Sequence, residues 1–262
     1  MSERESWHKE IDLFLVAMGY FTRIPMPKWV EVDADKLNKA SRYFGLVGLL
    51  VGLLCAIVFW LTQNWLPAGV SVLLSMVTGV LLTGGFHEDG LADTFDGFGG
   101  GWTAEDKLRI MKDSRLGSYG ALALMLVLML KWQLLVELAL YDPVVAGSAM
   151  IVAHTVSRVV AASLIFTEKY VRDDESSKSK PLAQHQGINE LFILIASGVL
   201  VLLVLKGIAA LSLLLVMIGL RRLIVVIFRR QIGGYTGDTL GAAQQICEIV
   251  CYFVLLVVGS IL

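Results

Sequence analysis

Charge is scarce in this 262-residue chain: Asp, Glu, Lys and Arg make up 17% of it, against 56% hydrophobic residues. Mean hydropathy is +0.71, and an apolar share this large excludes an ordinary soluble domain. The net charge of −1 supplies no basic surface, so nucleic acid is not an expected partner. Cysteine is nearly absent as well. Cys55, Cys247 and Cys251 all fall in apolar runs, without metal-ligand spacing or a disulfide framework, which leaves packing as their role. No internal repeat is visible, and the longest polar stretch, Thr167–Asn189, has the size of a loop. The N-terminus mixes Arg4, Glu5, Lys9 and Glu10 and shows no small-residue cleavage site, so no removable signal peptide is expected. The expectation is a single transmembrane domain over 1–262, built as an all-α polytopic bundle in the lipid bilayer.

A bilayer core asks for about 20 apolar residues per helix. Seven stretches qualify or come close: Tyr43–Thr62, Ala68–Phe86, Ser118–Leu140, Pro143–Phe166, Leu191–Leu205, Ile208–Phe228 and Ile246–Leu262. Ile11–Ile24 is too short to cross and reads as a helix lying in the interface or re-entering. The apolar run from Leu191 to Leu220 is broken only by Lys206 and Gly207, where a tight hairpin is expected. With the N-terminus inside, this arrangement puts 19 of the 22 lysines and arginines on the cytoplasmic side, Lys178 and Lys180 among them. That separation is what the positive-inside rule asks for, and it predicts a bacterial inner-membrane protein.

Against this apolar background, GGFHEDGLADTFDG at 84–97 places Glu88, Asp89, Asp93 and Asp96 within nine residues, directly after an apolar span. Carboxylates beside hydrocarbon are expensive to keep, so a functional site is the default reading. On a helix, Asp89, Asp93 and Asp96 stand at i, i+4 and i+7 and share one face. Side by side they repel unless a cation lies among them, and hard oxygen ligands favour Mg²⁺, Mn²⁺ or Ca²⁺ over zinc. Two further polar segments fall on the same side in this topology. One is MKDSRLGSYG at 111–120, with Lys112, Asp113, Ser114 and Arg115; the other is RRQIGGYTGDTLG at 229–241, with Arg229, Arg230, Thr236 and Asp238. Carboxylates that hold a divalent ion, set against cations that neutralise phosphate oxygens, form a recurrent phosphoryl-transfer arrangement.

Plainer readings compete. The acids could be a solvated loop just outside a helix, although loops do not require one-face spacing. Lys112 and Arg115, and Arg221, Arg222, Arg229 and Arg230, could be ordinary positive-inside anchors. His154 and Arg158, at i and i+4 within a span, could reach the site or pair with another helix. Lys131 and Glu137 read as snorkelling side chains, and His185 as solvated. His87–Glu88 suggests a zinc-protease helix, but that motif needs a histidine where Leu91 stands.

Taken together, GGFHEDGLADTFDGFGGG and RIMKDSRLGSYGALAL resemble the signature of the cobalamin (5′-phosphate) synthase family. YFTRIP near the N-terminus and IGGYTGDTLGA near the C-terminus are similar to two further landmarks in the same order. Glu88 departs from the family pattern, where an apolar residue is more usual, and adds a carboxylate beside the metal. The resemblance implies that α-ribazole, or its 5′-phosphate, is joined to adenosylcobinamide-GDP with release of GMP, Mg²⁺ being required. It implies that Asp89, Asp93 and Asp96, with Glu88, hold the metal, and that Asp113 or Asp238 accepts the attacking hydroxyl's proton. His87, Lys112, Ser114, Arg115, Arg229, Arg230 and Thr236 would then contact substrate. Two rivals remain. A CDP-alcohol phosphotransferase carries an arginine where Asp93 follows Ala92, and a cation-coupled transporter needs polar residues at mid-membrane, where chiefly His154 and Arg158 stand. The glycine-rich spans could also pack against another copy, making a homo-oligomer.

Overall fold

The computed structural model describes residues 3–172 and 185–259. Lys178, Lys180, the middle of the 167–189 loop and the end of the last span lie outside them. Among the described residues no strand forms, and extended pairing is confined to an isolated parallel bridge between Tyr170 and Tyr235. The helices are α1 (Glu3–Phe21), α2 (Ala34–Ala40), α3 (Phe44–Thr62), α4 (Ala68–Thr83), α5 (Phe86–Gly100), α6 (Ala104–Ile110), α7 (Ser118–Tyr141), α8 (Pro143–Thr167), α9 (Ile188–Leu202), α10 (Gly207–Ile232) and α11 (Gly237–Gly259). The all-helical, multi-pass architecture expected from hydropathy is therefore the one observed.

All seven expected spans lie on helices, but they are not equivalent. The run Asp35–Thr62, α7, α8, α10 and α11 are long and apolar enough to cross on their own. The 16 residues of α4 and the 15 of α9 reach only about 24 Å at 1.5 Å per residue, short of a core about 30 Å thick. α4 is long enough to cross only together with α5, from which it is bent by 86°. α1 begins earlier than the expected Ile11 and stops at Phe21, and it is not among the crossing helices. The hairpin at Lys206–Gly207 is present, α9 stopping at Leu202 and α10 starting at Gly207.

The last helix departs most from expectation. It starts at Gly237 rather than Ile246, because Thr236 and Thr239 cap it reciprocally. The Thr236 amide donates to Thr239 Oγ1 (2.8 Å), and the Thr239 amide donates to Thr236 Oγ1 (3.2 Å). Such a cap satisfies amides that a helix start otherwise leaves open. Asp238 is thereby carried on the first turn of α11.

α8 runs through the centre of the bundle, buried along most of its length and packed against α3, α9 and α11. The C-terminal ends of α4, α8 and α10 and the N-terminal ends of α7 and α11 all lie at one end of the bundle, as alternating spans require. The acidic segment, the 111–120 segment and the 229–241 segment therefore emerge at the same end.

Candidate active site

Two consecutive glycines create the platform for the acids. Gly84 (φ +67°) and Gly85 (φ +72°) both adopt the left-handed region that side chains disfavour. They end α4, and α5 sets off across its axis instead of continuing the span. α5 then crosses the start of α11 at two small residues. A Cβ on Gly90 would lie 2.7 Å from the Asp238 carbonyl oxygen, and one on Gly241 would lie 3.1 Å from that of His87. Only glycine allows so close an approach, and the crossing brings Asp238 to the carboxylates of α5.

Asp89 is exposed, Asp93 half-buried and Asp96 buried. Their surroundings differ accordingly. Asp96 accepts from the amides of Gly117 and Gly120, both at 2.8 Å, and so anchors the first turn of α7. Neither the Asp89 nor the Asp93 carboxylate accepts a hydrogen bond among the described residues. Burial, then the Asp238 and Asp89 carboxylates, push the Asp93 carboxyl up to about 7, while nearby Arg172 opposes them. Arg172 approaches Asp238 at 3.2 Å and donates to the Met111 carbonyl at 3.3 Å. Asp89, Asp93, Asp238 and Arg172 thus form one electrostatic unit.

Arg172 is not among the candidate residues read from the sequence, where nothing but its charge marks it out. Two of the four candidate cations, Arg115 and Arg229, are engaged elsewhere. Arg115 clasps Asp113 through Nε (3.0 Å) and Nη2 (2.5 Å) in an exposed turn. Arg229 binds Glu168 through Nε (2.6 Å) and Nη2 (3.0 Å). Lys112, Ser114 and Arg230 are exposed. Thr236 is fully buried as the cap described above. His87 is enclosed too, at 1% exposure, its ring stacked on Phe44 with centroids 5.8 Å apart. Burial lowers its pKa well below the usual imidazole value.

Beneath this layer lies a polar network inside the bundle. Glu248 of α11, fully buried, meets Lys131 of α7 at 2.5 Å and His154 of α8 at 3.5 Å. It also accepts from Gln244 (2.7 Å) and from the Tyr252 hydroxyl (3.0 Å). Arg158 contacts His154 Nδ1 at 3.0 Å. Gln245 bonds Gln244 (2.9 Å) and donates to Glu88 (3.0 Å), which links the network to the acidic helix. The expected snorkelling of Lys131 is therefore incorrect: its ammonium turns inward because a buried carboxylate is within reach. His154 reaches another helix through Glu248, and so the network that leads to Glu88, while Arg158 bonds His154 within α8. Glu137 remains exposed and accepts from Gln133 at 2.6 Å. His185 is exposed, as expected.

Could the acids hold a divalent ion? Among the described residues, no three His, Cys, Asp or Glu side chains are gathered into a ready-made cage. Mg²⁺ does not demand one, since it commonly takes one or two carboxylates, retains waters and shares substrate phosphates. Asp89 and Asp93, whose carboxylates accept no hydrogen bond among the described residues and stand one helical turn apart on α5, are a fitting pair.

A polytopic helical membrane protein, with carboxylates and a guanidinium gathered at one end of its bundle, has the parts of a membrane phosphotransferase. Residues 13–256 match the family described as cobalamin-5-phosphate synthase. The chain is 95% identical, over the full length of both proteins, to an adenosylcobinamide-GDP ribazoletransferase of Shewanella oneidensis. It is 69% identical to the protein of the same name from Shewanella frigidimarina, with 99% of each chain covered. To that from Shewanella pealeana it is 64% identical, with 97% and 98% covered. No solved structure matches. The chain belongs to the cobalamin-5-phosphate synthase family.

Proposed function

We propose that this protein joins α-ribazole, or its 5′-phosphate, to adenosylcobinamide-GDP, releasing GMP and forming adenosylcobalamin or its 5′-phosphate. The family membership carries the reaction. The observation that carries the site is the unit formed where α5 crosses α11: Asp89, Asp93, Asp238 and Arg172. The clustering of lysine and arginine at this end of the bundle supports a cytoplasmic orientation in the inner membrane.

Asp89 and Asp93 would hold Mg²⁺, which when bound supplies Lewis-acid stabilisation of charge on the diphosphate. Asp93 must lose its proton to do so, and burial, with the Asp238 and Asp89 carboxylates, brings that loss near neutrality. Arg172 neutralises phosphate oxygens in a planar, bidentate manner that a lysine could not copy. Asp238 stands beside it, placed to accept the proton of the attacking ribosyl hydroxyl. Asp96 keeps the start of α7 against α5 through its two amide contacts. Gly90 holds α5 and α11 at the distance that lets Asp93 and Asp238 act on one substrate. Most of this catalysis is positioning and charge compensation, as phosphoryl transfer requires.

The test is direct. The protein purified in detergent, with phospholipid restored, is given adenosylcobinamide-GDP, α-ribazole and Mg²⁺. Mass spectrometry should find GMP and adenosylcobalamin in equal amounts, and a chelator should remove both. GMP without a cobalamin product would refute the acceptor, and product that persists in chelator would refute the metal.

A further inference from the structure

We propose that Arg23 binds the substrate diphosphate from the side of the acidic helix opposite Arg172. The inference rests on the ribazole-transfer reading and adds to it a second phosphate-binding group, from the N-terminal elbow. A cavity of about 690 Å³ opens between the end of α1, the Gly84–Gly85 turn and α5. Arg23, Glu88 and Asp89 line it, together with Tyr20, Gly84 and Leu116. Its volume is that of a site for a substantial organic ligand.

The elbow that carries Arg23 is held in place. The Thr22 hydroxyl donates to the Met18 carbonyl (2.7 Å) and accepts from the Ile24 amide (3.2 Å). The Arg23 amide donates to the Leu82 carbonyl (2.7 Å), tying the elbow to the end of α4. The guanidinium then rests over Gly84, where an added Cβ would overlap its Nε. Arg42, Arg109, Arg115, Arg172 and Arg229 each pair with a carboxylate. Arg23 makes no ion pair among the described residues, although Glu88 and Asp89 line the same cavity.

Geometry and charge agree on what fills the gap. Along α5, Glu88, Asp89 and Ala92 face this cavity, whereas Gly90 faces Asp238 and hence Arg172. Asp89 and Asp93 lie between the two sides at helical spacing. A divalent ion offsets Asp89 and Asp93, and Arg172 faces Asp238, so Arg23 is the guanidinium beside these acids that makes no ion pair among the described residues, and phosphate oxygens are its matching partner. The ligand class is therefore a diphosphate held on one flank by Arg23 and on the other by Arg172.

Arg23→Ala, Arg23→Lys and, as a control, Arg222→Ala on the exposed face of α10 are compared in phospholipid. For Arg23→Ala, KM for adenosylcobinamide-GDP should rise about 10- to 100-fold, as loss of charge-assisted hydrogen bonds implies. The inhibition constant of inorganic pyrophosphate should rise in parallel, while KM for α-ribazole stays within twofold. Arg23→Lys should fall between, and Arg222→Ala should match the wild type. Unchanged KM and pyrophosphate inhibition in Arg23→Ala would overturn the assignment. A lower kcat at unchanged KM in both Arg23 variants would also overturn it, assigning Arg23 a structural role. Were the wild type itself to form no product, the ribazole-transfer reading would fall. Calorimetric pyrophosphate binding with Mg²⁺, compared between wild type and Arg23→Ala, would then still decide whether Arg23 holds phosphate.

Discussion

Replacing Lys131 with methionine leaves the Glu248 carboxylate fully buried without its closest counter-charge, 2.5 Å away. Lys131 itself is 5% exposed, so neither partner can recover hydration without opening the bundle. Breaking such a pair from one side costs about 3–5 kcal/mol, because the remaining ion keeps its desolvation penalty. At roughly 2–4 °C per kcal/mol for a chain of this size, the melting temperature of Lys131→Met should fall by roughly 6–20 °C. Glu248→Gln in the same background removes the stranded charge, keeps one oxygen to accept from Gln244 and can donate its amide to the Tyr252 hydroxyl. The double variant should regain at least half of the loss, about 1.5–2.5 kcal/mol, the signature of two directly coupled sites. The assay is built into the protein: Cys55, Cys247 and Cys251 are free and buried, so a thiol-reactive dye reports unfolding as the bundle opens. A Lys131→Met protein that melts within about 2 °C of the wild type would refute the reasoning, since an ammonium that reaches the headgroups loses nothing on removal.

Asp93→Asn should retain its melting temperature while turnover at saturating Mg²⁺ falls at least about 100-fold; near wild-type turnover would sink Asp93 as the metal-holding residue. Because the Asp93 carboxyl is raised to about 7, Mg²⁺ must displace a proton at lower pH. Apparent Mg²⁺ affinity, measured by titrating activity, should rise up to about tenfold per unit between pH 5 and 7 and level off above that. Gly90→Ala puts a Cβ 2.7 Å from the Asp238 carbonyl and should cost about 1–3 kcal/mol as overpacking, seen as a lower melting temperature with a steeper loss of kcat. Asp96→Asn removes one of two charge-assisted amide contacts, about 1.5–3 kcal/mol. It should lower thermal stability more than Asp93→Asn does and disturb Mg²⁺ affinity less.

The parts of the fold that follow from hydropathy were legible in the sequence: helices at every apolar stretch, the hairpin at Lys206–Gly207, and three polar segments at one end. Length rules alone overstate α4 and α9, since a 16-residue helix that stops at a double glycine reads like a span until the 86° turn is seen. The start of α11 was hidden because Thr236–Thr239 is a reciprocal cap inside a run of glycines that reads as loop. At the site, residue types in α5 announced an acidic cluster, and all four acids lie on that helix, with Asp96 turned to the start of α7. Their neighbours were not legible. Whether Arg115 faces phosphate or Asp113, or whether Arg172 rather than Arg229 meets the acids, depends on side-chain direction across a tertiary contact. Glu248 was the one omission with a clear signal, a carboxylate inside the span expected over 246–262, four residues after Gln244.

The same helix explains why the charged interior and the site belong together. Asp238, Gly241, Gln245, Glu248 and Tyr252 recur at intervals of three or four along α11, one face of a single helix. From Asp238 to Tyr252 that face descends roughly 21 Å at 1.5 Å per residue. Its upper end meets Gly90 and Arg172, its middle bonds Glu88 through Gln245, and its lower part binds Lys131 through Glu248. A polar stripe on a membrane helix has one tolerable orientation, toward other polar groups and away from lipid. The interior ion pair therefore fixes the rotation of α11, and a rotated α11 would carry Asp238 off the Asp93 carboxylate. Rotational register is set deep in the bundle, and the carboxylate spacing at its end is the consequence.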